Sequence, residues 1–210
     1  MSTGRTTPPP SARPPGASRH GWFVGVLAVL ALVYISVNTL RTHPIGVQTG
    51  AKLPAFAVPR LFANTGDVPT NLIQKAADGA PRPACRVRDP RALNVCTYAA
   101  NRPLVLAFAS EKEKDTLRQL DAMRTVASHF PRVRFVGIFL RGDRDEARKK
   151  AKEGGWGFPL GWDPEATVAE VYGLKALPAI FLVDSARRAR AVEYRVLAAP
   201  ELARRVRRLR

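Results

Sequence analysis

The sequence predicts an α/β protein, a layered sheet with helices packed on it, preceded by one membrane-spanning helix. Three observations lead there. Leu104–Ala109 is an unbroken apolar run of strand length, as a sheet covered on both faces requires, and Leu117, Leu120, Met123 and Val126 follow it at helical spacing. Strand-like and helix-like patterns then alternate as far as Leu197. Far upstream, Gly21–Leu40 carries no charged side chain.

Composition sets the limits. A chain of 210 residues has room for one ordinary domain with appendages, and a hydrophobic fraction of 46% can fill a core. The formal charge of +17 would suggest a nucleic-acid partner in a cytosolic protein. The apolar segment and the expected topology disfavour that, so no nucleic acid is expected. The three histidines are scattered without ligand spacing, and neither a metal nor a cofactor is expected.

Residues 1–20 are rich in Pro, Ser, Thr, Gly and Arg and predict a disordered basic tail. Residues 21–40, as a helix, would cover about 30 Å, the thickness of a bilayer core. Trp22 and Tyr34 suit the two interfaces, and Arg5, Arg13 and Arg19 precede the run without any acid, which favours a cytoplasmic N-terminus. A cleavable signal peptide is the competing reading, but no small-x-small site follows the run closely. A buried core helix would need a polar face, which is missing. The remainder is then extracytoplasmic, with the lipid bilayer as a partner through residues 21–40 and a linker over 41–52.

Leu53–Leu61 reads as an extended edge segment containing prolines. Asn64–Asp67 is a turn, Val68–Asp78 a short strand or helical turn, and 79–101 a polar, Pro- and Arg-rich insertion holding both cysteines. After the Leu104–Ala109 strand, Ser110 offers an N-cap hydroxyl, and Glu111 and Glu113 suit a first helical turn. That helix is expected from Glu111 to Phe130. Val133–Leu140 is a second buried strand. Asp143–Glu153 is a charged helix with a basic face at Arg148, Lys149, Lys150 and Lys152, stopped by Gly154-Gly155. Phe158–Trp162 is a short strand or extended segment. Asp163-Pro164 caps a helix reaching Tyr172. Ala176–Asp184 and Ala189–Leu197 are the last strands. From Pro200 a terminal helix puts Leu202, Val206 and Leu209 on one face.

This order, with Pro178 at the head of the strand that follows Gly173, resembles the thioredoxin fold. More narrowly it resembles the membrane-anchored thioredoxin-like and redoxin proteins of bacteria, the TlpA and ResA type. The resemblance is carried by Leu53-Pro-Ala-Phe-Ala-Val-Pro59, Pro103–Ser110, Trp162–Gly173 and, most specifically, Gly173-Leu-Lys-Ala-Leu-Pro-Ala-Ile-Phe-Leu-Val-Asp184. It implies a thioredoxin-like domain over 53–210, a central mixed sheet with helices on both faces. It also implies a cis bond at Leu177–Pro178 shaping a groove for an extended peptide, the alternative being an ordinary trans proline at a strand start.

The resemblance also exposes a departure. Catalysts of that family carry Cys-x-x-Cys directly after the first core strand. Here the corresponding stretch reads Glu111, Lys112, Glu113, Lys114, Asp115, and no cysteine occurs after Cys96. Lys112 and Asp115 could form an acid/base pair, but charges in a first helical turn are usually solvated caps, and no catalytic residue is assigned. Cys85 and Cys96 read first as a structural disulfide of an exported domain, and alternatively as an atypical redox pair. Trp156 and Trp162 are expected as core and loop anchors rather than a ligand platform. Arg204–Arg210 is read as a solvated helix face that could hold anionic lipid or wall polymer. Two functions stay open: a protein-binding or redox-associated module without dithiol catalysis at the usual site, using the Pro178 groove, or a thiol–disulfide oxidoreductase working through Cys85/Cys96.

Overall fold

The computed structural model of the chain describes residues 19–42, 46–64 and 83–209. These divide into two compact units, 1–43 and 44–210. The expected tail over 1–18, the 65–67 part of the turn, the element over 68–78 and the start of the insertion lie outside the described residues.

In the first unit Arg19–Thr42 forms one 24-residue helix, α1. Its described side chains, Phe23 and residues 25–36, are all exposed. The span expected at 21–40 is not shown: among the described residues no helix is long and apolar enough to cross a membrane.

The second unit is built on a five-stranded sheet. Its strands are β3 (Leu104–Ala109), β4 (Arg134–Leu140), β5 (Leu160–Asp163), β6 (Ala179–Val183) and β7 (Ala189–Glu193), in the order β5-β4-β3-β6-β7. β3 runs parallel to β4 and β4 to β5, while β6 is antiparallel to both β3 and β7. All six residues of β3 are buried, which is why its sequence does not alternate. Its odd-numbered residues Val105, Ala107 and Ala109 join one core and its even-numbered residues Leu104, Leu106 and Phe108 the other. The first core is closed by α3 (Lys114–Ala127), α4 (Arg144–Gly154) and α6 (Ala199–Arg207), through Leu120, Met123, Ala147, Ala151, Leu202 and Val206. The second is closed by α5 (Thr167–Tyr172) and a small hairpin-like sheet of β1 (Ala57–Pro59) with β2 (Ala92–Asn94). Tyr172 is fully buried there against Phe56, Phe108 and Phe181, and its hydroxyl donates to the Pro54 carbonyl at 2.9 Å.

Several expectations need correction. The 41–52 linker is in part domain: Val47 N–H donates to Tyr172 O, Gly50 N–H to Ala189 O and Ala189 N–H to Ala51 O, and Val47 is buried. The 79–101 insertion is structured from Pro83 on, with a 3-10 turn at Ala84–Arg86, β2, and α2 at Val95–Tyr98. Buried Asn94 organises it, its amide donating to the Ala84 and Val87 carbonyls and its oxygen accepting from Cys96 N–H. The helix expected from Asp163 starts only at Thr167. Pro164 is therefore not its first residue; instead the buried Asp163 carboxylate accepts from Val168 N–H. The α4 face is not uniformly basic either. Arg148 donates to the carbonyls of Leu61 and Ala63, and Lys149 and Lys150 pair with Glu146 and Glu153. Asp143 caps this helix and left-handed Gly155 ends it.

The carboxylates that stitch the domain together are held below their ordinary range. Glu201 falls from 4.5 to about 2, through the Arg195 guanidinium first, with Arg205 adding to it. Burial pushes Asp184 up, but Arg188 N–H, the Arg190 guanidinium and Ala186 N–H outweigh it and leave it lowered. Asp89 is lowered by Arg91, and Asp143 by the N–H groups of Glu146 and Asp145. Groups with depressed folded values stabilise the fold above their unfolded range and cease to do so as they protonate. The melting temperature should therefore stay level from neutral pH to about pH 5 and fall between about pH 4.5 and 2. A melting temperature that is constant across that acid window contradicts the assignment.

Candidate functional site

The site is assembled at the end of β3. Continuing the β3–β6 register one residue past Phe108↔Ala179 sets Pro178 beside Ala109. The Leu177–Pro178 bond is cis; Pro178 is buried and Leu177 half-buried. The α3 N-terminus faces the same strand end, and its first residue is Lys114 with Glu113 as N-cap. Ser110 is therefore not the cap. Its hydroxyl accepts from Lys112 N–H and its own N–H donates to Thr116 Oγ1. Fully buried Thr116 in turn places its hydroxyl 2.7 Å from the carbonyls of both Ser110 and Glu113, its single proton shared between them, tying the strand end to the first helical turn.

The five charged residues expected as one solvated group divide. Lys112, Glu113, Lys114 and Asp115 are exposed, and Asp115 pairs with Arg118. Lys112 faces Asp143 closely enough to lower its pKa, after the N–H groups of the capped turn. Glu111 is the exception, only 3% exposed. Its Oε1 accepts from Asp143 N–H at 3.2 Å, and its Oε2 is buried without a hydrogen-bond partner among the described residues. The carboxylate lies against Gly142 (φ +74°), where a Cβ would stand 2.1 Å from Oε1. Any side chain at this left-handed position would have to displace the carboxylate, so glycine suits it best. This clasp between the β3–α3 and β4–α4 loops went unseen in the sequence, because a Glu before a helix reads as a solvated acid. The spacing of a glycine directly before the Asp143 cap was the one available signal.

A Cys-x-x-Cys pair that began at the N-cap of this helix would occupy two positions three residues apart. In this chain those positions are Glu113, exposed, and Thr116, buried. Thr116 lies just outside the stretch singled out from the sequence. Neither carries sulfur, so the helix end that could acidify a thiol has none.

Cys85 and Cys96 form a disulfide, with Cα atoms 5.4 Å apart, and both residues are half-buried. Arg187 Nη1 lies 3.7 Å from Cys85 Sγ. Arg187 belongs to the turn after β6, beyond Val183, which pairs with Leu104 at the start of β3. Pro178 and Ser110 lie past the other end of that ladder, roughly 17 Å along the strand. The disulfide and the cis proline thus sit at opposite ends of the sheet. Trp156 and Trp162 are both buried, Trp156 donating to Asp121 Oδ1, and neither lies on the strands flanking Pro178. Leu202, Val206 and Leu209 are buried while Arg204, Arg207 and Arg208 are exposed; Arg205 pairs with Glu193 and Glu201. Among the described residues no group of three or more His, Cys, Asp or Glu could hold a metal ion.

No family model and no curated protein matches the chain. Solved structures do. A secreted Mycobacterium tuberculosis disulfide oxidoreductase homologous to E. coli DsbE matches with a TM-score of 0.55 at 18% identity, over 73% of this chain and 96% of that one. A thioredoxin-family thiol:disulfide interchange protein from Chlorobium tepidum gives 0.56 at 13%, over 77% and 97%. A DsbF homologue from Corynebacterium diphtheriae gives 0.57 at 17%, over 79% and 92%. At these identities the likeness establishes the thioredoxin-like α/β fold and nothing finer.

Proposed function

We propose that the chain is a membrane-tethered, extracytoplasmic thioredoxin-like protein that lacks dithiol catalysis at the usual site and binds an extended segment of another exported protein beside Pro178. The observation that carries this reading is the thiol-free helix start at the strand end beside Pro178, with Glu113 at the N-cap and Thr116 one turn on. Leu177 lies two residues before β6 and outside its ladder, where its backbone could meet an extended chain, while nothing at the helix can exchange disulfides. Tethering through 21–40 is supported by the uncharged run and by the exposed apolar side chains of α1. Binding of a labelled extended peptide pool to the full-length protein in neutral detergent should weaken at least about tenfold in Pro178→Ala, a change of about 1.4 kcal/mol. Equal binding by the variant would remove the groove from the account.

A second reading, thiol–disulfide exchange through Cys85/Cys96, is favoured by the half-buried sulfurs and by the Arg187 guanidinium beside Cys85. Insulin reduction separates the two. The first reading expects no activity from the wild type; activity that disappears in Cys85→Ser would establish the second.

A further inference from the structure

At the sheet end opposite Pro178, the parallel register of β3 and β4 has a consequence for charge. Leu104 pairs with Arg134, and Arg102 and Arg132, each two residues earlier, line one cavity just ahead of the two strands. Leu104 also pairs with Val183 on the other flank, and Ser185, two residues beyond it, lines the same cavity. Both arginines are exposed, and neither has an ion-pair partner among the described residues. Like charges set next to each other are unfavourable unless something answers them. Asp184, next to Ser185 in the chain, is already committed to Arg190 and to the N–H groups of Ala186 and Arg188.

Between these residues lies a cavity of about 660 Å³. Arg102, Arg132, Asn101 and Ser185 bring its polar groups, while Phe130 and Leu209 are its buried apolar walls. No acid lines it. Two guanidinium forks with a hydroxyl and an amide present many donors and no formal negative charge, the chemistry that recognises a tetrahedral oxyanion. The apolar walls add room for hydrocarbon attached to that group.

We propose that this cavity is a binding site for a phosphate-type oxyanion, held by Arg102 and Arg132 and able to carry an apolar substituent along Phe130 and Leu209. It is separate from the exposed arginines of α6 and independent of the Pro178 groove.

The test uses full-length protein in neutral detergent at constant ionic strength, titrated calorimetrically with two probes: inorganic phosphate and a short-chain phosphatidylglycerol below its micelle concentration. Wild type should bind with single-site saturation. Arg102→Gln/Arg132→Gln should lose at least about tenfold in affinity for whichever probe binds, with an unchanged melting temperature, because both side chains are exposed. Arg204→Gln/Arg207→Gln should bind as wild type does. Tighter binding of the lipid identifies the ligand as a headgroup, and equal binding identifies a free oxyanion; either upholds the site. Absence of saturable binding, or an equal loss in the α6 variant, reduces the effect to diffuse charge and overturns the proposal.

Discussion

Gly142→Ala should destabilise the domain by about 2–4 kcal/mol. A left-handed φ of +74° at Gly142 costs an alanine about 1 kcal/mol by itself. The new Cβ would then stand 2.1 Å from Glu111 Oε1, so the carboxylate must move and give up its bond from Asp143 N–H. Breaking a buried bond to a charged acceptor adds about 1–3 kcal/mol. For a domain of this size the melting temperature should drop by roughly 5–15 °C. The informative comparison is with Glu111→Ala, which removes the obstructing carboxylate and its partnerless Oε2 together. In that background the glycine replacement should cost only about 1 kcal/mol, the backbone share. Denaturant melts of the four variants measure the difference; equal costs in both backgrounds would show that the carboxylate does not clasp Gly142.

Glu113→Cys/Thr116→Cys should give the chain a redox activity at its helix start. The N-cap of a 14-residue helix favours a thiolate, and the position one turn on is buried enough to serve as a resolving thiol. With Cys85 and Cys96 already joined, the variant should contain one additional reducible disulfide and should catalyse insulin reduction by dithiothreitol. Lys112→Cys/Asp115→Cys, three residues apart but not starting at the cap, should not. If the second pair is the active one, the helix register assigned to this site is wrong. If neither is active, more than sulfur has been lost from the junction. Thr116 also ties Ser110 to the helix, so the active variant is expected to be less stable than the wild type by about 1–2 kcal/mol.

Much of the scaffold was legible because its signals are local. Six buried apolar residues in a row, a leucine–methionine stripe at threes, and an Asp and two glycines around α4 each announce their element without reference to anything distant. Pro178 was legible only within its surrounding pattern, since a single proline before a strand has several uses. What the sequence concealed depends on tertiary neighbours. β2 is three residues inside an Arg-rich loop and exists because β1 offers it a ladder and Asn94 holds the carbonyls of the turn before it. Glu111 looks like a solvated acid until the β4–α4 loop closes over it. The helix start shifted from Ser110 to Glu113 because the Thr116 hydroxyl competes successfully for the strand end, a choice that residue preferences for caps do not encode. The span over 21–40 is read from a single local property, its uncharged apolar composition.

The arginines of α4 reach across to another part of the chain. Arg144 donates to the carbonyls of Arg60, Leu61 and Ala63, and Arg148 to those of Leu61 and Ala63. They hold the backbone that follows β1, as Asn94 holds the Ala84 and Val87 carbonyls that precede β2. Five carbonyls flanking the two short strands are thus answered by guanidinium and amide groups. With three residues apiece, β1 and β2 are riveted to the domain by side-chain forks more than by the length of their own ladder.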